Sequence, residues 1–259
     1  MHINSIYITT YQERTWGRLY VSFEKEGQQY YAFKNFLNFS EHNYIGTGNV
    51  DNEPCFSWFV EQNRHTFSVE EVIKGNADYL YLTPEKYRVQ YGTPSILLKR
   101  LLIDIYSNNL TPVEHRRGWY DHVHIPEVTL SELHITKDFK QIVFEDYFTE
   151  FQMEPLMKTL YVFYLKHKEG VKRTDLSDFK SELQQIYTQI TEKSDLEKVT
   201  KSIDSLIDNS GKSFDEKVSK IKKQLVDLLG GKLAKHYYIV KNENELYQIN
   251  LPLEKIKFD

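Results

Sequence analysis

Ser213-Phe214-Asp215-Glu216-Lys217-Val218-Ser219-Lys220-Ile221-Lys222-Lys223-Gln224-Leu225-Val226-Asp227-Leu228-Leu229-Gly230-Gly231 is the stretch on which the reading of the chain turns. Ser213 and Glu216 have the spacing of a capping box, in which a hydroxyl and a carboxylate satisfy each other's backbone N–H groups at a helix start. Phe214, Val218, Ile221, Leu225 and Leu228 then recur at helical spacing as an apolar seam. That seam leaves Lys217, Lys220, Lys222, Lys223 and Gln224 on the outer faces. Gly230-Gly231 predicts the end of the helix. Beyond it, Tyr237-Tyr238-Ile239-Val240 and Leu246-Tyr247-Gln248-Ile249 are strand-like and flank the polar Lys241-Asn242-Glu243-Asn244, a hairpin pattern. Helices followed by a closing hairpin predict a winged helix.

Three helices precede this one. The spacing predicts a helix from about Pro155 to His167, with Leu156, Leu160, Phe163 and Tyr164 in phase and Gly170 as its stop. A second, capped by Thr174, carries Leu176, Phe179, Leu183, Ile186 and Ile190. A third opens at Ser194-Asp195-Leu196-Glu197, another capping box, and sets Leu196, Val199, Ile203 and Leu206 on one stripe. Upstream of the helices, Leu130 to Ile135 and Gln141 to Phe144 read as two strands around the turn Thr136-Lys137-Asp138.

The order of these elements resembles the winged-helix output domain of OmpR-like response regulators and related bacterial transcriptional activators. In that family a small antiparallel sheet precedes a helix ending in a phrase like L-L-x-x-L-x-x-H-P-G-x-V, to which Leu160 to Val171 is similar, with His167 and Gly170-Val171 in place. Lys172-Arg173-Thr174-Asp175-Leu176 occupies the slot of the family's S-R-x-x-L. Val218-Ser219-Lys220-Ile221-Lys222-Lys223-Gln224-Leu225 is similar to the end of its recognition helix, and Tyr238-Ile239 through Tyr247-Gln248-Ile249 to its wing. The resemblance covers about residues 128–253. It implies a DNA-binding transcription regulator whose recognition helix is Ser213 to Leu229, approaching DNA through Lys217, Lys220, Lys222, Lys223 and Gln224, with Lys172 and Arg173 on the backbone. Three departures accompany it: the additional helix near Asp195–Asp208, a recognition face rich in lysine but without arginine or asparagine, and Glu243 and Glu245 at a wing tip where a phosphate-contacting wing would carry cations. Lysine neutralises phosphate but reads bases poorly, which leaves Gln224 as the one residue suited to a base edge.

Residues 1 to about 90 alternate in the manner of strands: Ile3, Ile6 and Ile8; Leu19, Val21 and Phe23; then Tyr30 and Tyr31 after Glu26-Gly27-Gln28. They predict a β-meander. Phe56, Trp58 and Phe59 follow the turn-like Asp51-Asn52-Glu53-Pro54, and Ser68-Val69-Glu70-Glu71 is a capping box for a short helix. Thr93-Pro94 starts the clearest helix of this half, near 94–106, and Ile96, Leu97, Leu98, Leu101, Leu102 and Ile105 make it apolar over most of its circumference, so it is expected to be buried. Asn108 to Glu127, with Pro112, Gly118 and Pro126, suits a linker. The predicted fold class is α+β: a β-rich N-terminal domain, 1–127, followed by a winged-helix domain, 128–259, that is, helix-turn-helix plus β-hairpin.

The chain has 259 residues, 40% of them hydrophobic and 27% charged, which excludes a disordered or collagenous protein. No stretch approaches the roughly 18 uncharged apolar residues of a membrane helix, and Met1 to Thr10 lacks a basic region followed by an apolar core, so no membrane partner is expected and the cytoplasm is the expected compartment. A single cysteine, Cys55, can form neither an internal disulfide nor a multi-thiolate metal site and reads as a packing residue. The net charge of -4 divides unevenly: residues 1–150 carry 14 basic and 20 acidic side chains, residues 151–259 carry 19 and 17. An acidic front half repels a polyanion, so any nucleic-acid contact is expected from the C-terminal half.

One segment has the look of chemistry. In His115-Arg116-Arg117-Gly118-Trp119-Tyr120-Asp121-His122-Val123-His124, an extended chain would point His122 and His124 the same way, with Asp121 or His115 completing a metal shell of hydrolase type. A lone His-x-His lacks the further spaced ligands of a specific motif, and the segment equally reads as an interdomain linker with Trp119 packing at the boundary. Arg116 and Arg117 with Trp119 and Tyr120 have the residue types to grip a phosphate or a stacked base. Gly46-Thr47-Gly48-Asn49 lacks the further Gly, Lys and Ser/Thr of phosphate loops, and no Gly-x-Ser-x-Gly elbow is present. The aromatics Trp16, Tyr20, Phe23, Tyr30, Tyr31, Phe33, Phe56, Trp58 and Phe59 suit a core or a ligand pocket. The function expected is therefore a non-enzymatic regulator binding DNA, without cofactor, whose N-terminal half serves sensing or interaction. A winged helix that docks a protein partner is the alternative, a metal-dependent hydrolase the third class, and the pattern is open to a homodimer.

Overall fold

The computed structural model describes residues 1–11, 16–36, 43–47, 64–75, 94–112, 128–191 and 196–259. Cys55, the Phe56-Trp58-Phe59 group, the side chain of Trp16, Thr93, Gly48-Asn49, the 115–124 segment and the Ser194-Asp195 cap fall outside them. The protein is α+β, with several sheets. It divides into two compact units, Met1–Thr129 and Leu130–Asp259.

The first unit is built on a six-stranded sheet. Strands β1 (His2–Tyr11), β2 (Trp16–Lys25), β3 (Gln28–Phe36) and β4 (Asn43–Thr47) form an antiparallel meander; β5 (Arg64–Phe67) pairs with β1, and β6 (Thr111–Pro112) lies parallel to β4. The uneven spacing of Ile3, Ile6 and Ile8 has a structural cause. A bulge between Ile3 and Ser5 shifts the phase by one residue, so that Ile3, Ile6 and Ile8 stand opposite Phe23, Val21 and Leu19 on one face. The row Ile6, Val21, Ala32 and Ile45 runs across four strands and is buried along its length.

Helix α1 (Val69–Ile73) starts with the expected capping box: Glu71 N–H donates to Ser68 Oγ at 3.2 Å and Ser68 N–H to Glu71 Oε2 at 2.8 Å. Helix α2 (Pro94–Tyr106) packs against β2 and β3 through Leu97, Leu98, Leu101, Leu102 and Ile105, all buried. The opposite face of the sheet carries Tyr20, Tyr31 and Phe33, also buried, with Tyr7 packed beside them. Arg18 donates to Tyr20 Oη at 3.0 Å and lies 4.6 Å from the centroid of Phe33.

The second unit places one helix at its centre. In α3 (Pro155–Lys166) every residue from Met157 to Leu165 is buried, so the helix has no solvent stripe over its middle turns. On one side lies a four-stranded sheet ordered β13-β7-β8-β9, with β7 (Leu133–Ile135), β8 (Ile142–Phe144) and β9 (Thr149–Glu150) antiparallel and β13 (Ile256–Phe258) parallel to β7. The paired strands are shorter than the apolar pattern suggests, three residues each in β7 and β8. A second sheet joins β10 (Val171–Lys172) to the hairpin β11 (Ile239–Lys241) and β12 (Leu246–Ile249). Helices α4 (Lys180–Thr191), α5 (Leu196–Ile207) and α6 (Ser213–Ala234) pack in succession, α4 and α6 both against α3.

Two local expectations are corrected. Arg173–Phe179 is a 3-10 helix, and the α-helix begins only at Lys180, so Thr174 is no cap; its hydroxyl donates to Asp175. A 3-10 turn eclipses residues three apart, which lets Leu176 and Phe179 both face the core, Phe179 with its ring 5.3 Å from Phe163. The Ser213 capping box does not form: Lys212 takes the cap position, without a side-chain bond. The helix is interrupted at Gly230 (φ 74°, ψ 158°), as Gly230-Gly231 predicts, and a further helical turn follows to Ala234, where Leu233 and Ala234 are buried.

Gly170 is the tightest point of this unit. Its φ is +83°, and a Cβ there would stand 3.0 Å from Leu246 Cβ and 3.2 Å from Tyr247 O. The turn after α3 therefore fits against β12 only as glycine. Gly170→Ala is expected to destabilise the C-terminal unit by about 1–3 kcal/mol through left-handed strain plus this contact. An unchanged urea midpoint would show that β12 yields instead.

Candidate nucleic-acid interface

The two sides of α6 have opposite chemistry. Phe214, Ile221, Leu225 and Leu229 are buried, while Val218 and Leu228 are half-buried at the edges of that seam. The side facing away from it carries Glu216, Ser219, Lys220, Lys223 and Asp227, all exposed. Lys220 and Lys223 have no hydrogen bond or ion pair within the described residues. Glu216 and Asp227 stand four residues from Lys220 and Lys223 respectively, neighbours on the helix surface that moderate the local potential. Gln224 projects on one flank and Lys222 on the other, where its ammonium lies 4.9 Å from the centroid of Tyr238. Lys217 is different: its Nζ lies 3.2 Å from Glu154 Oε2 and its side chain is only 18% exposed.

Lys172 and Arg173, adjacent in sequence, have separate fates. Lys172 is exposed on β10, in register with Leu246 of the hairpin. Arg173 is turned inward and used up by internal bonds. It donates through Nη1 to Asp215 Oδ2 at 2.6 Å, and through Nη2 to the carbonyls of Gly211 (2.5 Å), Asn209 (3.2 Å) and Asp208 (3.4 Å). Its guanidinium also lies 5.4 Å from the Phe214 centroid, and its buried Nε has no partner among the described residues. One planar fork thus ties the start of the 3-10 turn to the α5–α6 loop and to the first turn of α6. The sequence offered no signal for this role, because Arg173 and Asp215 are 42 residues apart.

The hairpin completes the region. Asn242 Oδ1 accepts from the N–H groups of Asn244 (2.9 Å) and Leu246 (3.0 Å), and Glu245 takes a left-handed φ of 65°. Glu245 is paired with Lys241 at 2.9 Å. That hydrogen bond, the charge of Lys241 and the more distant charge of Lys172 hold its carboxyl below the ordinary value. Glu243 is exposed. No family model, curated protein or solved structure matches this chain.

The residues considered for a metal, His115, Asp121, His122 and His124, lie outside the described residues. Among those described, no group of three or more His, Cys, Asp or Glu side chains could hold a metal ion, and no helix is long and apolar enough to cross a membrane. The Arg173 geometry yields a test. Arg173→Lys keeps the charge but loses the fork, and should lower the stability of the C-terminal unit by roughly 1.5–3 kcal/mol. It should also speed proteolysis within residues 208–212, and wild-type resistance in that loop would contradict the assigned role.

Proposed function

We propose that residues 128–259 form a winged-helix module and that the protein is a non-enzymatic regulator that binds duplex DNA through the outer face of α6. The observation that carries this reading is the pair Lys220 and Lys223, exposed and without partners among the described residues, beside Gln224 on a helix whose inner face is fixed in the core. The arrangement around the helix supports it: a small sheet precedes α3, β10 joins the β11–β12 hairpin, and α6 leads into that hairpin. This is the order of elements in the OmpR-like output domains that the sequence resembles, with α5 as an insertion.

In this reading Lys220, Lys223 and Lys222 neutralise phosphates, and Lys172 on β10 adds a backbone contact. Gln224 has the donor and acceptor geometry for an adenine edge. Lys217 and Arg173 play no direct part, because Glu154 and Asp215 already hold them. Glu243 and the Lys241–Glu245 pair keep the hairpin tip from adding a net positive charge, so contact is concentrated on the helix. The N-terminal unit is assigned sensing or interaction on architecture alone.

A second reading, docking of a protein partner, is favoured by Glu216 and Asp227, which alternate with the lysines on the same face. The two are separated by binding of the 259-residue chain to random-sequence duplexes over a range of salt. DNA binding predicts an affinity that falls linearly with salt on logarithmic axes. Lys220→Glu with Lys223→Glu should weaken it on every sequence and reduce the slope by roughly 2, near 0.9 for each lost phosphate contact. Unaltered affinity in the double variant would remove this face from the proposal.

A further inference from the structure

His134, in β7, sits between two carboxylates brought in by different elements. Its Nδ1 is 2.9 Å from Glu145 Oε1, in the 3-10 turn after β8, and its Nε2 is 2.5 Å from Asp259 Oδ1, just past β13. An ionised carboxylate only accepts hydrogen bonds, and a neutral imidazole carries a single N–H. Both contacts can be hydrogen bonds together only when both ring nitrogens are protonated. We propose that His134 is a pH-dependent clasp that as an imidazolium fastens β13 and Asp259 to β7, and that releases them on losing its proton.

The strand it holds is lightly attached otherwise. β13 is three residues long, at the edge of its sheet, and pairs only with β7 among the described strands. Asp259 N–H donates to Ile135 O at 3.1 Å, and the second oxygen of Asp259 accepts from Lys137 N–H at 3.3 Å. The surrounding charges are accounted for. Lys257, beside His134 in register, has its ammonium 2.5 Å from Glu132. Asp146 accepts from Glu132 N–H, while Lys137, Asp138 and Lys140 lie in the β7–β8 turn. The two carboxylates on the ring are therefore its nearest charged neighbours. The hydrogen bond to Asp259, outweighing partial desolvation, and the bond to Glu145 raise the imidazole above its ordinary value.

A raised folded value sets the direction of the switch. The clasp contributes fully below the unfolded value of about 6.5 and is lost as the pH rises through the folded midpoint. Asp259 also lines a surface groove with Thr136, Lys140, Gln141 and Gln189, so release of β13 alters that groove as well.

The test is an NMR titration of the His134 ring in the full chain, combined with amide protection factors for residues 256–259. The clasp predicts protection that declines as His134 loses its proton. Asp259→Asn should lower the His134 midpoint by roughly half a unit or more and flatten the pH dependence. His134→Asn should give low, pH-independent protection with the rest of the unit intact. A His134 midpoint unmoved by Asp259→Asn, or protection that stays constant while His134 titrates, would overturn the proposal.

Discussion

A chain of buried hydroxyls ties the C-terminal unit together. Tyr161 of α3 donates to the carbonyl of Tyr237 at 2.9 Å, Tyr237 donates to the carbonyl of Ser131 at 3.0 Å, and Ser131 N–H donates to the Tyr147 hydroxyl at 3.3 Å. These groups span the central helix, the chain leading into the hairpin and the approach to the first sheet. Burial pushes the Tyr161 and Tyr237 hydroxyls well above their ordinary range, so both remain neutral donors. A polar group at such depth costs more unpaired than it gains paired, so the network selects one arrangement of the elements. Around it, Phe144 stands edge-on to Tyr237, and Phe214 edge-on to Tyr247. The orientation of α6 and of the hairpin follows from that packing.

The outer face of α6 is a by-product of this core. Once Phe214, Ile221, Leu225 and Leu229 are turned inward, helical geometry sends Lys220 and Lys223 outward. Arg173 then fixes the start of the helix against the loop that follows α5. Helix α5 stands between α4 and α6 in the chain, and a strut with bonds to one carboxylate and three carbonyls is a physical means of holding the start of α6 in place.

Patterns that depend on near neighbours were legible in the sequence. The Ser68 box, the start of α2 at Pro94, the burial of Leu183 and Ile186 in α4 and of Val199, Ile203 and Leu206 in α5, and the exposure of Lys220, Lys222, Lys223 and Gln224 all follow from spacing within a few turns. What depends on distant partners was not. The fork of Arg173 reaches Asp215 from 42 residues away, Lys217 is drawn to Glu154 some 63 residues away, and a further helical turn follows Gly230 where Leu233 and Ala234 find a core to enter. The bulge at Ile3–Ser5 lies between these cases: its trace is the irregular isoleucine spacing, but only the partner strand gives that spacing meaning.

The outer face of α6 is the contact surface we propose, and amide chemical-shift mapping reads that surface directly. Addition of a duplex to the isotope-labelled chain should shift amides concentrated between Glu216 and Asp227, with smaller changes at Lys172 and little at the hairpin tip. Shifts confined to the hairpin or to the N-terminal unit, or none at low salt, would contradict it.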